Sequence, residues 1–465
     1  MASPSGMPSY NLTMDMCSAY GYDSDDPRMA QWVGVNGPPC NSIVDSEMII
    51  DGIPIEGVYH GALSYAPNWR VAHYIAIADN RSIPRKNIAG ATLNDSLHGP
   101  IGEGVHLFPL RGCLRLIVDT LKFVTEEMPY FRASDVQAYS SREAGCTAAQ
   151  EAAFAIADQM EVVKGCIEKG LDIDEMSKHL TFFFACYSDF FEEVAKFRAV
   201  RKVWAQIMRE RFHAKSDKSL RMRIQVKTSA STLPAQHPQL NIFRSGVQAL
   251  SAIFGGASGL NITCMDEAFS APTEESARIA LLTGKVIEHE TGIANVADPL
   301  AGSYYVERLT QDMEDAIWNY LKKIDDMGGY IAAIERGYIQ REIANVNIKE
   351  SHDLDSGKKI VVGLNKYQPE DSETDPIEIF DQDPTPTVKE MTKRLKKLRK
   401  ERDNARVKDI LAQFREAARG DGYLMPIMVD AAKALCTTSE IFGVLKEELG
   451  EDHTCLIPPD WAKGA

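Results

Sequence analysis

The sequence lacks any apolar run near the roughly 20 residues that a membrane-spanning helix needs, and its first ten residues have neither the basic start nor the apolar core of a signal peptide. It also lacks a basic excess, because 51 Lys and Arg residues stand against 66 Asp and Glu residues and give a formal net charge of -15. Proteins that bind nucleic acid need a net basic face. We therefore expect a cytoplasmic protein that binds neither nucleic acid nor membranes.

Paired cysteines and several familiar catalytic motifs are missing too. The nine cysteines include no CxxC pair, so a zinc site or a disulfide framework has little support. The sequence has no HExxH helix and no glycine-rich phosphate loop of the Walker type. Its histidines do not cluster, and an isolated one such as His98 is expected at the surface. We predict no metal bound by the side chains of this chain.

What is present is a repeated strand-then-helix pattern. A chain of 465 residues with 44% hydrophobic residues can bury a large core, and it is long for one domain unless that domain is a barrel. Short apolar runs followed by helical patterns recur at residues 10–16, 58–64, 88–94, 136–140, 180–187, 222–228, 260–264 and 293–297. Eight such repeats predict an α/β fold, a (β/α)8 TIM barrel over residues 1–345.

Residues 346–465 are predicted to form a linker and a helical C-terminal extension. Residues 368–387 are acidic and rich in proline, which is typical of an extended connector. Residues 388–404 are strongly basic and carry Met391, Leu395 and Leu398 on one stripe. That pattern fits a solvated helix face, and it also fits a contact surface for an acidic partner.

In a barrel of this kind the chemistry is expected on the loops that leave the C-terminal ends of the strands. Glu143 and Glu267 follow the fourth and seventh predicted strands, and a long carboxylate there has no routine capping duty, so we expect both to be functional. Asp95 and Asp266 occupy similar places, but Asp at such a turn commonly caps the next helix, so both interpretations stay open. Further residues expected at this end are Ser18, Ala19, Asn94, Ser140, His179, Thr181 and the stretch 227–231.

Several motifs, in order along the chain, carry a resemblance to a known family. They are GYDSDDPR at 21–28, DGIP at 51–54, REAGCTAAQEAAF at 142–154, PTEESARIA at 272–280, DPLAGSYYVE at 298–307 and VVGLNKY at 361–367. Over about residues 21–448 the sequence resembles the large, catalytic-barrel subunit of the methylmalonyl-CoA mutase family, the adenosylcobalamin-dependent acyl-CoA mutases. The resemblance implies an isomerase that rearranges a carbon skeleton by radical chemistry, in which the barrel positions the substrate and excludes water.

The resemblance also implies where the cofactor would lie. It matches Glu143, Glu267 and Ala268 with positions that contact the cobalamin and its adenosyl group, and it puts Ala230 and Ala19 at the same cofactor face. The family's cobalamin-binding part is marked by a DxHxxG loop, a pattern that these 465 residues do not contain. A second, small polypeptide with that motif is therefore expected to bring the adenosylcobalamin, which gives a hetero-oligomer.

Departures from the family pattern point to a different substrate. Glu103 stands where the resemblance places an arginine that holds the second carboxylate of methylmalonyl-CoA. Ser140 replaces a histidine that bonds the thioester carbonyl, Lys227 replaces a substrate-side glutamine, and Ala19 replaces another histidine. We predict that Glu103, Ser140 and Lys227 are catalytic. Because a carboxylate at position 103 would repel a malonyl carboxylate, we expect a larger or less acidic acyl-CoA.

Other departures from the family pattern concern the residues that bind the substrate. Ala91 and Leu93 stand where the family has polar substrate contacts, and with His179 and Thr181 they are the predicted substrate-binding residues. The family's N-terminal arm, part of which lines the CoA channel, has little counterpart before the first strand, so either another subunit supplies it or the grip on CoA is altered. Three functions stay open: a mutase for an acyl-CoA, a mutase for an acid that is not a CoA thioester, and a non-catalytic scaffold subunit.

Overall fold

The computed structural model describes residues 9–63, 67–104, 107–368 and 377–450. Three predicted features reach outside these ranges: the end of the second strand at Ser64, residues 369–376 of the connector and residues 451–465 of the tail. The described residues form an α/β protein whose strands pair in parallel. The strands are β1 Ser9–Thr13, β2 Tyr59–Leu63, β3 Ala89–Thr92, β4 Phe131–Arg132, β5 Ser134–Val136, β6 Leu180–Cys186, β7 Ile224–Thr228 and β8 Gly259–Asn261.

The strands form two four-stranded sheets, β1-β2-β3-β4 and β5-β6-β7-β8. Only Ala133 separates β4 from β5, so these two strands are consecutive halves of one bent strand. Phe131 in the first half pairs with Gly90 of β3, and Ser134 in the second half pairs with Leu180 of β6. The two sheets are therefore one parallel series of seven strand positions, with β1 at one end and β8 at the other.

The predicted eighth strand at residues 293–297 is wrong. Ile293–Asn295 is a single turn of 3-10 helix between Gly292 and Asp298, both of which have positive φ, and the turn is largely open to solvent. A short apolar run has no period that separates a strand from a turn. The fourth predicted strand is also shifted, because β5 stops at Val136. A closed barrel is not observed, since β8 and β1 are not paired with each other in the part of the chain that is described.

The helices account for most of the described residues, and none of those described is long and apolar enough to cross a membrane. They are α1 Met16–Ala19, α2 Ile43–Ile49, α3 Pro67–Asn80, α4 Gly99–Gly102, α5 Leu110–Glu127, α6 Ala138–Glu143, α7 Ala148–Glu168, α8 Ile173–Met176, α9 Phe190–Glu210, α10 Pro238–Phe254, α11 Glu274–Glu290, α12 Tyr304–Asp326, α13 Tyr330–Glu335, α14 Tyr338–Asp355, α15 Thr385–Glu401, α16 Asn404–Arg419, α17 Leu424–Lys433 and α18 Thr438–Leu449.

The helix α7 is the centre of the core. Thr147 caps its N-terminus in a capping box with Gln150, and the alanine-rich sequence that follows lets other helices approach closely. Fifteen of its 21 residues are buried, because α5, α9 and α12 pack around it and β5 lies against it. Packing of this kind fixes the strand ends next to α7, where the predicted site residues lie.

The C-terminal helices pack along the N-terminal half of the chain. α17 lies against α3 and α5, and the Arg115 guanidinium on α5 donates hydrogen bonds to the carbonyl oxygens of Ala417 and Ala418 at 2.7 and 2.6 Å. The basic helix α15 finds acidic partners within the chain, since Arg399 pairs with Asp25 at 2.5 Å. The predicted boundary at 345/346 falls inside α14, and the division into two domains stays a prediction.

Candidate active site

The short helix α6 carries two predicted site residues, Ser140 and Glu143. It follows β5 directly, so it starts at the C-terminal end of that strand. A Cβ added at Gly102 would come within 2.7 Å of the Ser140 Cβ and 2.9 Å of its carbonyl carbon, so glycine is what lets α4 approach α6 this closely. The approach brings Glu103, the residue after α4, beside Ser140.

Glu103, Ser140 and Tyr20 form what we call the Glu103 recess. The Ser140 hydroxyl donates a short hydrogen bond to the Glu103 carboxylate. Glu103 is exposed to solvent, yet the protein packed near its carboxyl group displaces enough water to raise its pKa to about 7, against the smaller opposing effect of the Ser140 bond. Burial also raises the pKa of Tyr20, with a smaller contribution from the Glu103 charge. The carboxyl group therefore changes near neutral pH from a hydrogen-bond donor to a charged acceptor.

Tyr139, Glu143, Lys227 and Glu267 form a second group, the mouth cluster, where β5, β7 and β8 end. The Lys227 Nζ on β7 lies 3.0 Å from Glu267 Oε1, in the turn after β8, and 5.1 Å from the centroid of the Tyr139 ring. The Lys227 and Glu267 side chains are 29% and 27% exposed. A charge pair that keeps this much contact with solvent is open to a ligand.

Only one of the two carboxylate oxygens of Glu143 has a hydrogen-bond partner. Its Oε2 accepts a hydrogen bond from the Ser231 N–H at 2.6 Å, while its Oε1 is buried and has no hydrogen-bond partner among the described residues. Burial raises the pKa of Glu143, opposed by hydrogen bonds from Ser229 and Ser231 and by the charge of Lys227. A buried carboxylate oxygen without a partner is costly, so this oxygen is available to accept a hydrogen bond from a bound molecule.

Arg142, Glu151, Glu193 and Lys196 form an inner network behind the mouth cluster. The Lys196 Nζ lies 2.6 Å from Glu151 and 2.5 Å from Glu193, and the Arg142 guanidinium lies 3.6 Å from Glu193. All four side chains are buried. Lys196 also donates to the Ala185 carbonyl oxygen of β6 at 2.7 Å, so the network ties α6, α7 and α9 to the central strand.

One cavity of about 970 Å³ lies at this end of the strands. Lys227 and Glu267 line it, together with residues between 34 and 39 that follow β1 and residues between 262 and 272 that follow β8. Its remaining lining residues, Phe380, Gln382 and Thr387, come from the end of the connector and the first turn of α15. Its volume lies within the range of small-molecule sites. An ammonium group and carboxylates on its wall suit a ligand that offers hydroxyl, amino or carbonyl groups.

A family model described as Methylmalonyl-CoA mutase matches residues 4–451. The chain belongs to the methylmalonyl-CoA mutase family. It is 35% identical to the mitochondrial methylmalonyl-CoA mutase of Homo sapiens over 451 residues, which cover 96% of this chain and 60% of the relative. It is 34% identical to the methylmalonyl-CoA mutase of Rhizobium meliloti (strain 1021) over 456 residues, covering 97% and 63%. The chain thus spans about three fifths of the length of these curated relatives.

In this member of the methylmalonyl-CoA mutase family the fold brings several predicted cofactor residues together. Glu143 and Glu267 flank Lys227, although they are more than a hundred residues apart in the sequence. The backbone N–H of Ala230 contacts the Tyr139 hydroxyl, and Ala268 is exposed in the turn next to Glu267. Ala19 is buried within α1. The roles of these residues stay predictions.

The expectation that His179 and Thr181 lie at the C-terminal end of a strand is wrong. β6 begins at Leu180, so both residues lie at its N-terminal end, and a strand of seven residues places its two ends about 20 Å apart. The His179 Nδ1 lies 2.5 Å from the Phe131 carbonyl oxygen, and the Thr181 hydroxyl donates to the Ser134 carbonyl oxygen at 3.2 Å. The strand itself was predicted correctly, but its first residues were grouped with residues from the ends of other strands.

The other two predicted substrate-binding residues lie at a strand end. Ala91 is in β3 and Leu93 directly follows it, and both are half-buried. For all four residues, contact with substrate remains a prediction.

For Asp95 and Asp266 the structure favours the capping interpretation. Asp95 accepts the N–H groups of His98 and Gln137 at 3.0 and 2.7 Å. Asp266 accepts the Thr273 N–H at 2.9 Å and so holds the start of α11. Both carboxylates stabilise the turns that follow strands, which is a common structural duty for Asp at such places.

His98 is buried, contrary to the surface position expected for it. The side-chain ligand atoms of Asp95, His98 and Asp158 lie within 4.8 Å of one another, an arrangement that could hold a metal ion, and the Tyr330 hydroxyl is 3.0 Å from His98 Nδ1. Burial raises the pKa of both Asp95 and Asp158 to about 8. Burial is the largest cause of both shifts, and the Asp158 charge raises the pKa of Asp95 further. His98 Nε2 and both carboxyl oxygens of Asp158 have no hydrogen-bond partner among the described residues.

The site also contains aromatic residues that were not predicted from the sequence. Tyr139 faces Lys227, and the Tyr187 hydroxyl lies 2.7 Å from the Ser231 hydroxyl and donates to the Arg142 carbonyl oxygen at 2.7 Å. The available signal was position, because Tyr187 ends the run 180–187 and Tyr139 immediately precedes Ser140. Aromatic residues in apolar runs are usually core, which is why neither was singled out.

Proposed function

We propose that this chain is the substrate-binding part of an adenosylcobalamin-dependent mutase, an isomerase that moves a group between neighbouring carbons of a branched acyl-CoA. The family supports the class of reaction. The location of the proposed active site rests on one observation. Lys227 pairs with Glu267 in the wall of the large cavity, beside Glu143, which has one carboxylate oxygen without a hydrogen-bond partner. We further propose that a separate small subunit carries most of the cobalamin and that the working barrel is closed.

The mouth cluster fits the sugar of an adenosyl group. Glu143 offers a buried carboxylate oxygen without a partner, and Glu267 offers a carboxylate already oriented by Lys227. Both groups can accept hydrogen bonds from ribose hydroxyls, which are donors. When bound, adenosylcobalamin supplies a carbon radical by homolysis of its cobalt–carbon bond. The residues of this chain hold the adenosyl group in place, and Tyr139 and Tyr187 help to exclude water from it.

The Glu103 recess would determine which acyl group the site accepts. Its ionised carboxylate repels a second acid group, and its protonated form donates a hydrogen bond to a neutral acceptor. With a pKa near 7, Glu103 is partly ionised at neutral pH, and its ionised form would repel the single free carboxylate of a malonyl or succinyl thioester. We therefore propose a substrate whose branch ends in an alkyl, hydroxyl or amide group. When Glu103 is protonated it can donate to the Ser140 oxygen, which would free the Ser140 hydroxyl to donate to the thioester carbonyl.

The deciding experiment combines this chain with a candidate small subunit that carries a DxHxxG motif and with adenosylcobalamin. The absorbance of cob(II)alamin is then followed while acyl-CoAs and free acids are added one at a time. We expect a signal with a branched, uncharged acyl-CoA. Fastest turnover on methylmalonyl-CoA would contradict the proposed substrate, and a signal with free acids alone would favour the non-CoA alternative. No signal with any compound would favour the scaffold.

A matched pair of variants tests the location of the site. Glu143→Gln keeps the shape of the side chain but removes its charge, so the affinity for adenosylcobalamin should fall about tenfold through loss of one charge-assisted hydrogen bond. Glu335→Gln, at an exposed position of α13, should leave the affinity unchanged. Equal affinity of both variants would remove Glu143 from the site.

A further inference from the structure

Asp95, His98 and Asp158 form a buried group, the Asp–His cluster, that belongs neither to the mouth cluster nor to the inner network. Asp95 lies in the turn after β3, His98 directly precedes α4, and Asp158 lies in the middle of α7. Tyr330, the first residue of α13, places its hydroxyl 3.0 Å from His98 Nδ1. All four residues are at most 4% exposed, so bulk water does not solvate their polar atoms.

The two carboxylates of this cluster keep unused acceptor capacity. Asp95 and Tyr330 lie close to Asp158, yet no hydrogen bond of ordinary geometry reaches either Asp158 oxygen among the described residues. Asp95 accepts the N–H groups of His98 and Gln137, which leaves about two of its four lone-pair sites free. Buried oxygens without a partner are costly, and here they meet within 4.8 Å of an imidazole nitrogen.

The charge of the Asp–His cluster is not balanced by a lysine or an arginine. The inner network balances its buried carboxylates with one residue of each type. Among the described residues, the only basic side chain that pairs with either carboxylate of the cluster is His98, whose Nδ1 lies 3.7 Å from Asp158 Oδ2. Buried carboxylates are ordinarily paired with a cation or coordinate a metal ion. A divalent cation would supply the positive charge that the side chains do not.

The distances within the cluster suit a small tetrahedral ion. Zinc bonds of about 2.0–2.2 Å to nitrogen and oxygen ligands separate neighbouring ligand atoms by about 3.4 Å. His98 Nδ1 lies 3.7 Å from Asp158 Oδ2 and 3.0 Å from the Tyr330 oxygen, on either side of that spacing. Calcium requires about six or more oxygen ligands, whereas a mixture of imidazole and carboxylate suits zinc.

We propose that the Asp–His cluster binds one zinc ion, with the Tyr330 hydroxyl oxygen as the fourth ligand. Four protein ligands in a buried position make this a structural site, which takes up its metal as the chain folds. Asp95 also accepts the N–H of Gln137, directly before α6, so the ion would fix the start of the helix that carries Ser140 and Glu143. Zinc here would overturn the sequence-based expectation that the side chains of this chain bind no metal.

Refolding with and without zinc tests the proposal without any turnover. The full chain is unfolded in urea with EDTA, refolded either with one equivalent of zinc or with EDTA, and passed over a desalting column. Elemental analysis should find one zinc per chain after refolding with zinc. The midpoint of thermal unfolding should then be at least about 5 °C higher than that of the metal-free chain, because a ligand that binds only the folded state stabilises it. Absence of bound zinc would overturn the proposal.

Two variants and one control show where the zinc binds. Asp158→Asn keeps the shape of the side chain and should abolish both the bound zinc and the thermal shift. Asp119→Asn changes a buried carboxylate of α5 that accepts the Leu424 N–H, and it should retain one zinc per chain. Zinc bound equally by these two variants would overturn the proposal.

Tyr330→Phe tests the fourth ligand and decides the matter if Asp158→Asn does not fold. The change removes only a hydroxyl group, so the buried ring keeps its packing. The affinity for zinc, measured by competition with a coloured chelator, should fall about tenfold or more because one ligand is lost. An affinity equal to that of the wild type would exclude the Tyr330 hydroxyl and overturn the proposed site.

Discussion

The inner network and the mouth cluster meet at neighbouring residues of α6, Arg142 and Glu143, but they treat charge differently. In the inner network every charge is buried and lies near an opposite charge, as in the pairing of Lys196 with Glu151 and Glu193. In the mouth cluster Lys227 and Glu267 stay about a quarter exposed, and Glu143 keeps an unpaired oxygen. The inner network holds the strand ends in place, whereas the mouth cluster keeps hydrogen-bonding groups that a ligand can use.

This difference separates residues that stabilise the fold from residues that bind a ligand. Removing one member of a buried ionic network leaves the others without a partner in a medium of low dielectric, which is expensive. Removing one member of a solvated pair changes stability little, because water replaces the lost partner. Variants at the two groups should therefore affect different measurements.

The largest effect is expected from Lys196→Met. This change leaves Glu151 and Glu193 buried without their ammonium partner, so the free energy of unfolding should fall by about 3–5 kcal/mol in urea denaturation. Arg209→Met on the same helix removes a pair with Asp217 in which the two side chains are 65% and 96% exposed, and it should cost less than about 1 kcal/mol. Similar losses for the two variants would mean that the inner network does not hold α9 to α7.

Lys227→Met should lower the activity and leave the free energy of unfolding nearly unchanged. The pair with Glu267 is partly solvated, so the free energy of unfolding should change by less than about 1 kcal/mol. The rate of cob(II)alamin formation in the reconstituted enzyme should fall about 10- to 100-fold, because the ammonium group that orients Glu267 and faces Glu143 is lost. Lys285→Met, at a surface pair with Glu288, is the control. Full activity of Lys227→Met would exclude the mouth cluster from the site.

A pH series on Glu103→Gln should show a change of slope. The pKa of Glu103 is raised to about 7 in the folded protein from an ordinary value of 4.5, so the unfolded chain ionises first as pH rises. The contribution of this group to stability is full below pH 4.5 and is lost as pH rises toward 7. The free energy of unfolding of Glu103→Gln should therefore fall less steeply than that of the wild type between pH 4.5 and 7. Glu390→Gln, at an exposed position of α15, should follow the wild type, and parallel profiles for all three proteins would contradict the raised pKa.

The smallest effect is expected from Ser140→Ala. The hydroxyl donates to Glu103 and lowers the pKa of that carboxyl, so its removal should raise the pKa of Glu103 further. The midpoint of the Glu103 titration, followed by carboxyl infrared absorbance, should move to higher pH, with a stability cost of about 0.5–1.5 kcal/mol. Ser141→Ala loses a bond to the Ala138 carbonyl oxygen instead and should leave the midpoint in place. A midpoint that moves equally in both variants would show that Ser140 has no specific role.

The sequence was sufficient for local structure and for part of the site. Apolar runs located six of the strand positions closely. Lys227 lies in one of these strands and Glu267 follows another, while Glu143 follows the fourth predicted strand, which is shifted. It failed where the outcome depends on neighbours far along the chain. The run 293–297 became a largely exposed 3-10 turn between two residues of positive φ, and Tyr139 acquired a role only through its approach to Lys227.

The sequence by itself determined the alternation of strands and helices, the family, and the set of carboxylates that follow strands, because these depend on local periodicity and on motifs. Only the tertiary structure decided which charges are buried, which oxygen of Glu143 lacks a partner and where the parallel series is interrupted. Strand pairing and burial are set by surfaces that meet across hundreds of residues, and no local pattern records them.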